Sequence, residues 1–151
     1  MRAGFLFGLA LLGSPAFGDT ANLDGSWIID EIRSTGISSD RAWDRAQELQ
    51  SQSVSIEGYT FFLSGGTRCS MSQPTPETLQ NDMRTFGSFG GNWQQIGLVG
   101  DNNQFHVMVT ELTCEYTNER LFRIISQPAQ NFHLVDFGRV FSVMKRQETD
   151  Q

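Results

Sequence analysis

Short runs of alternating apolar and polar residues recur along most of the chain, at intervals of roughly ten residues. The clearest run is 104–116, in which Phe105, Val107 and Val109 alternate with more polar neighbours. That two-residue period is typical of a half-buried β-strand. Comparable short runs rich in β-branched and aromatic residues lie at 27–32, 53–56, 59–64, 67–72, 93–99, 120–126, 131–137 and 139–146. The pattern predicts an all-β, mainly antiparallel protein.

One segment follows a helical period instead. In residues 40–50 apolar side chains recur at three- and four-residue spacing from Ala42 to Leu49, which gives one apolar face. Ser39 or Asp40 precedes that face and is a good N-cap residue. We therefore expect one short helix that packs on or across the sheet.

The stretch between residues 74 and 91 loses the alternation. Thr75-Pro76-Glu77 is predicted to start a helical turn, because proline is tolerated at the first helical position. The following FGSFGG, residues 86–91, is rich in glycine and leads to Trp93. This loop is a candidate contact surface for a protein partner, and the alternative is an exposed connection without a partner.

About eight short strands with one short helix favour a small closed or nearly closed barrel, with a sandwich as the alternative fold. In a barrel the last strand pairs with the first, since closure removes free edges. We therefore expect residues 140–146, VFSVMKR, to lie beside residues 26–32, SWIIDEI.

Residues 1–18 have the composition of a secretory signal peptide. Arg2 precedes an apolar run, and small residues before Asp19 form a cleavage site. That run is too short to span a bilayer stably. We expect a single domain at 19–151, and a periplasmic or secreted protein that does not stay in the membrane after cleavage.

Charge narrows the choice of partners. Without the leader the chain has ten basic and 17 acidic residues, a formal charge of −7. Such a surface repels phosphate backbones and anionic lipid headgroups. We therefore expect neither nucleic acid nor a membrane surface as a partner.

The two cysteines, Cys69 and Cys114, lie in the exported part of the chain. In an oxidising compartment such a pair is best interpreted as a disulfide. Two free buried thiols, or half of a metal site, are the alternatives. Only His106 and His133 could add soft ligands, so we expect no metal and no cofactor.

A Gly-x-Trp triplet, Gly25-Ser26-Trp27, opens the first strand, and the last strand ends in Lys145-Arg146. With the strand count and one disulfide, these features resemble the lipocalin-like, or calycin, barrels. The resemblance implies that Trp27 plugs the closed end and that Arg146 lies across its indole. Lys145 or Arg139 could take that place. The second lipocalin motif, Thr-Asp-Tyr, has no counterpart here.

Aromatic residues are the candidates for a ligand site. Nine of the 12 phenylalanines lie outside the leader, more than a small core requires. Phe61, Trp93, Phe105 and Phe132 could line a pocket for a small apolar ligand, and the alternative is that they only fill the core.

No serine or cysteine lies in a recognisable nucleophile motif, so we predict no catalytic residue and no enzymatic activity. Two functions remain. One is an exported soluble binding protein that holds a small apolar ligand in a barrel. The other is a secreted protein-interaction or enzyme-inhibitor domain that acts through its loops.

Overall fold

The computed structural model describes residues 23–36, 38–86, 90–115 and 122–148, so the expected leader lies outside the described residues. The helical segments are α1 (Asp40–Leu49), the single turn α2 (Met83–Phe86) and a 3₁₀ helix at Trp93–Ile96. None of the described helices is long and apolar enough to cross a membrane. The strands are Gly25–Ser34 (β1), Ser53–Glu57 (β2), Thr60–Leu63 (β3), Arg68–Met71 (β4), Thr75–Leu79 (β5), Phe105–Cys114 (β6), Arg123–Ser126 (β7), Phe132–Asp136 (β8) and Val140–Arg146 (β9).

Eight of these strands close into an antiparallel barrel, as the sequence predicted. The order is β4-β3-β2-β1-β9-β8-β7-β6, and β6 pairs back to β4. The expected pairing of the first and last strands is present, with Trp27 opposite Arg146. The closing seam sets Cys69 opposite Cys114, and these two residues form the predicted disulfide. Buried disulfides are typical of proteins that mature in an oxidising compartment.

The ninth strand, β5, continues β4 along the same edge of β6. Met71 lies opposite Leu112, whereas Thr75 lies opposite Val109, so the register shifts by one residue across Ser72–Pro74. The prediction of a helical turn at Thr75-Pro76-Glu77 was therefore wrong. Pairing with β6 overrides the local preference of that sequence for a helix start, as tertiary contacts often do.

Two apolar cores lie on opposite sides of the barrel wall. The inner core draws side chains from all eight barrel strands, so it fills the interior, and it includes Trp27, Ile56 and Phe61. The outer core covers the outside of β6 to β9. It combines Phe105 and Phe141 of the strands with side chains from α2 and the 3₁₀ helix.

The 3₁₀ helix lies where a strand was predicted at 93–99. The Asn92 side chain accepts from Gln95 N and caps the helix, and Gly97 ends it with φ 101°. A left-handed glycine at that position stops the chain from continuing as an extended strand. Trp93, Ile96 and Leu98 of this segment are still buried, but in the outer core, whereas Val99 is exposed.

Helix α1 covers one end of the barrel, named here the helix end. Ser39 caps it as predicted, by accepting from Ala42 N. Ala42 and Ala46 pack against Val140 at the start of β9. The opposite end, where β1 begins and β9 ends, is named the Trp27 end.

Candidate functional site

The Trp27 end is organised around one tryptophan. The Trp27 side chain is buried, and its indole Nε1 donates to Leu23 O at 2.7 Å. The guanidinium carbon of Arg146 lies 4.4 Å from the ring centroid, and Arg146 Nη1 donates to Asp24 O at 3.1 Å. Arg146 thus covers the indole and ties β9 to the chain that precedes β1, which agrees with the expected stacking.

Register decides which basic residue takes that position. Arg146 is the direct partner of Trp27, so both side chains leave the same face of the sheet. Lys145 points to the opposite face and donates to Asp30 Oδ2. Arg139 lies in the β8–β9 turn and donates to Thr85 O.

Gly25 is required by the same arrangement. Its φ is 131°, and a Cβ built on it would lie 2.6 Å from Arg146 Nη1. A side chain at residue 25 would therefore force the Arg146 guanidinium to shift from its present position. The Gly-x-Trp triplet has a physical meaning here, because the glycine leaves the room that the arginine occupies.

The segment Leu23–Asp24 lies across the Trp27 end and is anchored to three elements. Besides the bonds from Trp27 and Arg146, Gly58 N in the β2–β3 turn donates to Asp24 Oδ1 at 2.8 Å. The Leu23 side chain is buried in the inner core. These contacts fix a loop that has no regular secondary structure of its own.

A pocket of about 240 Å³, named here the end pocket, opens beside this segment. Thr110, on the inner face of β6, is buried, whereas Tyr59 in the β2–β3 turn is 57% exposed. The lining of the pocket therefore extends from an exposed aromatic residue at the rim to a buried residue of the barrel wall. Its lining residues are Leu23, Asp24, Gly58, Tyr59, Met71, Ser72, Pro74 and Thr110.

A histidine lies inside the barrel next to Trp27. The His133 ring meets the indole edge-on, 4.9 Å between centroids, and His133 Nδ1 shares a hydrogen bond of 2.7 Å with Ser126 Oγ. Burial, and then the positive charge of Arg146, lower the pKa of His133 to about 4. The imidazole is therefore neutral at pH 7.

The Ser126–His133 pair has the composition of a nucleophile and its base, but its chemistry argues against that role. A general base works best when its pKa lies near the operating pH. The pKa of His133 lies far below 7 because burial and Arg146 oppose the imidazolium that proton abstraction would create. The pair is better explained as a hydrogen bond that satisfies two interior polar groups.

The four aromatic candidates for ligand binding do not lie together. Phe61 is in the inner core, whereas Trp93 and Phe105 are in the outer core. Phe132 packs at the edge of the outer core, where the Arg33 guanidinium carbon lies 5.0 Å from its ring centroid. All except Phe132 are at most 2% exposed, so they fill the two cores and do not line one cavity.

The described residues that flank the glycine-rich loop also belong to the outer core. Phe86 and Trp93, which flank it, are buried and contact each other at 5.0 Å between ring centroids. Trp93 is therefore part of the outer core and not of an exposed contact surface. Residues 87–89 lie outside the described residues.

Sequence reasoning missed the residues that line the end pocket. Tyr59 and Thr110 belong to ordinary strand and turn patterns, and Asp24 has the appearance of a solvated acid. The Gly-x-Trp triplet gave the one available signal, because it marks the end of the barrel at which the pocket lies. Strand register, which brings β4 and β6 together there, was needed for the rest.

Within the described residues, no group of three or more His, Cys, Asp or Glu side chains could hold a metal ion. A second, shallower hollow of about 410 Å³ lies at the loop before β6, where Val99, Asp101 and His106 contribute to its lining. His106 Nδ1 there bonds Thr78 Oγ1 at 3.1 Å.

Comparison of the sequence with known protein families, with curated proteins and with solved structures found no significant match.

Proposed function

We propose that this protein is an exported, non-catalytic binding protein that holds a small ligand in the end pocket, at the rim of the barrel. The observation that supports this most directly is the pocket itself. It combines apolar side chains, an exposed tyrosine and a few fixed polar groups in one concave site, the usual composition of a small-molecule site. The disulfide supports maturation outside the cytoplasm, in the periplasm or after secretion.

The ligand in this proposal is smaller than the one expected for a barrel lumen. Ligand pockets generally span about 300–1,000 Å³, and the end pocket has about 240 Å³. Deeper entry would require side chains of the inner core such as Trp27 and Phe61 to move. Membership of the lipocalin-like barrels is also part of the proposal. The closed eight-stranded barrel does not establish it, because such barrels occur in unrelated families.

Methyl NMR with a panel of small soluble compounds tests the site. Binding in the end pocket is expected to shift the methyl signals of Leu23, Met71 and Thr110, while Ile29 deep in the barrel keeps its signal. Tyr59→Ala should weaken binding, whereas Val99→Ala, which removes another exposed apolar side chain, should leave it unchanged.

Native mass spectrometry of the exported protein distinguishes the two function classes. A bound species of low mass, released on unfolding, is expected for a small-molecule binding protein. A stoichiometric protein partner without such a species would favour an inhibitor or interaction domain and overturn the proposal. Methyl shifts confined to Ile29 and other interior residues would move the ligand into the lumen.

A further inference from the structure

The end pocket has one charged side chain in its lining. Of its eight lining residues only Asp24 carries a formal charge. The bond from Gly58 N to Asp24 Oδ1 fixes this carboxylate against the β2–β3 turn. A carboxylate accepts several hydrogen bonds at once, so a ligand N–H group can add to those that Asp24 already accepts.

Tyr59 supplies a second group suited to a cation. It follows Gly58 directly, and its ring is among the few large apolar groups exposed on the described surface. The face of a tyrosine ring is electronegative and attracts a cation placed within about 6 Å of the ring centroid. An acidic residue and an exposed aromatic residue therefore line the same small pocket.

The other lining residues suit a compact apolar group. Leu23, Met71 and Pro74 contribute hydrocarbon and a thioether, and methionine adapts its shape to irregular ligands. The pocket thus offers one negative charge beside an apolar surface.

Arg146 is a basic residue in contact with this segment. Its guanidinium is stacked on Trp27 and bonded to the backbone oxygen of Asp24, and it does not line the pocket. The chain as a whole has a formal charge of −6, which raises the local concentration of cations around it.

We propose that the end pocket binds a small organic cation, a primary ammonium on a compact apolar group, with the ammonium between Asp24 and Tyr59. This inference rests on the proposed function and narrows its ligand class. Charge-assisted hydrogen bonds are roughly twice as strong as neutral ones, so the carboxylate favours the ammonium over a hydroxyl of the same size.

Three compounds that share one ring test the charge preference. Cyclohexylammonium, cyclohexanol and cyclohexanecarboxylate are titrated at pH 7 and low salt, with the Met71 methyl signal as the readout. The ammonium is expected to bind about tenfold more tightly than the alcohol, and the carboxylate least tightly.

Two variants test the groups involved. Asp24→Asn removes the charge but keeps an oxygen that can accept from Gly58 N, and it should reduce the preference for the ammonium to about twofold or less. Asp101→Asn removes one negative charge elsewhere and should leave the preference unchanged. Tyr59→Leu should weaken ammonium binding about threefold with little effect on the alcohol. Thermal melts confirm that each variant is folded.

The outcomes separate this inference from the proposed function. If cyclohexanol binds as tightly as cyclohexylammonium, or if Asp24→Asn leaves the preference intact, the cation assignment is wrong while the binding function stands. If none of the three compounds shifts the Met71 signal at millimolar concentration, the cation assignment fails. The proposed function fails with it if the wider compound panel and native mass spectrometry also show no bound small molecule.

Discussion

At the scale of single residues, the same arrangement of glycine, arginine and aromatic ring occurs twice. Gly25 makes room for Arg146 over Trp27, and a Cβ on Gly97 would lie 2.5 Å from Arg33 Nη1, whose guanidinium covers Phe132. In both cases the arginine also donates to a backbone oxygen of a non-strand segment, Asp24 O in one and Ile96 O in the other. Each unit attaches a loop or short helix to the barrel wall.

The first unit predicts the effect of Gly25→Ala. The substitution combines an unfavourable φ with a clash against Arg146, and we expect the free energy of unfolding to fall by about 2–3 kcal/mol. Gly58→Ala is the control, since Gly58 also has a positive φ, of 60°, but a Cβ there would contact nothing within 4 Å.

Urea denaturation of both variants measures the difference. Gly25→Ala should lower the free energy of unfolding by a smaller amount in an Arg146→Ala background, because the clash with the Arg146 side chain is then absent. Equal losses of unfolding free energy in the two backgrounds would show that backbone strain alone explains why residue 25 is a glycine.

The lowered pKa of His133 predicts that the stability of the folded protein depends on pH. Its pKa is about 4 in the folded protein, because of burial and then Arg146, against 6.5 for an unperturbed histidine. Between these values the unfolded chain binds a proton that the folded chain does not, so stability is lost as pH falls from about 6.5 to 4. The loss from this residue is about 3 kcal/mol over that window.

Urea melts of His133→Gln and His106→Gln at pH 7 and pH 4.5 check this. The first variant should lose most of the difference in unfolding free energy between the two pH values. The exposed His106 serves as the control, and its variant should keep that difference. A wild-type protein that is equally stable at both pH values would contradict the assignment.

At the scale of secondary-structure elements, the sequence predicted most of the strands and helix α1 because their apolar periods are regular. The two errors have a common cause. Residues 93–99 and 75–77 were assigned from local pattern, but Asn92 and Gly97 cap a 3₁₀ helix in the first case, and pairing with β6 extends the chain in the second. Trp93, Ile96 and Leu98 serve an outer core, and Leu79 at the end of β5 packs against it; a single sequence does not distinguish an outer core from an inner one.

The candidate site was harder to predict than the strands. The Trp27–Arg146 contact followed from the resemblance to a barrel family, and the disulfide followed from the count of cysteines. The end pocket combines residues from the chain before β1, the β2–β3 turn, the β4–β5 bend and β6. Distance along the chain separates these residues, and only barrel closure brings them together.

At the scale of the whole molecule, the disulfide reinforces the seam that closes the barrel. Cys69 of β4 and Cys114 of β6 are 45 residues apart in sequence and directly opposite in the sheet. Replacing both by serine is expected to lower the free energy of unfolding by about 4 kcal/mol, the loop-entropy value for a loop of that length.

Chemical denaturation of the double variant measures this change, and its circular dichroism at low denaturant shows whether the barrel persists. Ser70→Ala, on the exposed face of β4, is the control for a change in that strand without loss of the bridge. An unfolding free energy equal to that of the wild type would show that hydrogen bonding and packing close the seam without help from the disulfide.

The direct pairing of β1 with β9 has a practical consequence for attaching the protein to a surface. Gln147 N donates to Ser26 O, so the chain reaches and leaves the barrel at the same end, next to the end pocket. A fusion partner joined directly at residue 23 or residue 148 would therefore lie next to the end pocket. Coupling through an engineered residue on the solvent side of α1, such as Glu48→Lys, would orient the pocket away from a sensor chip or bead.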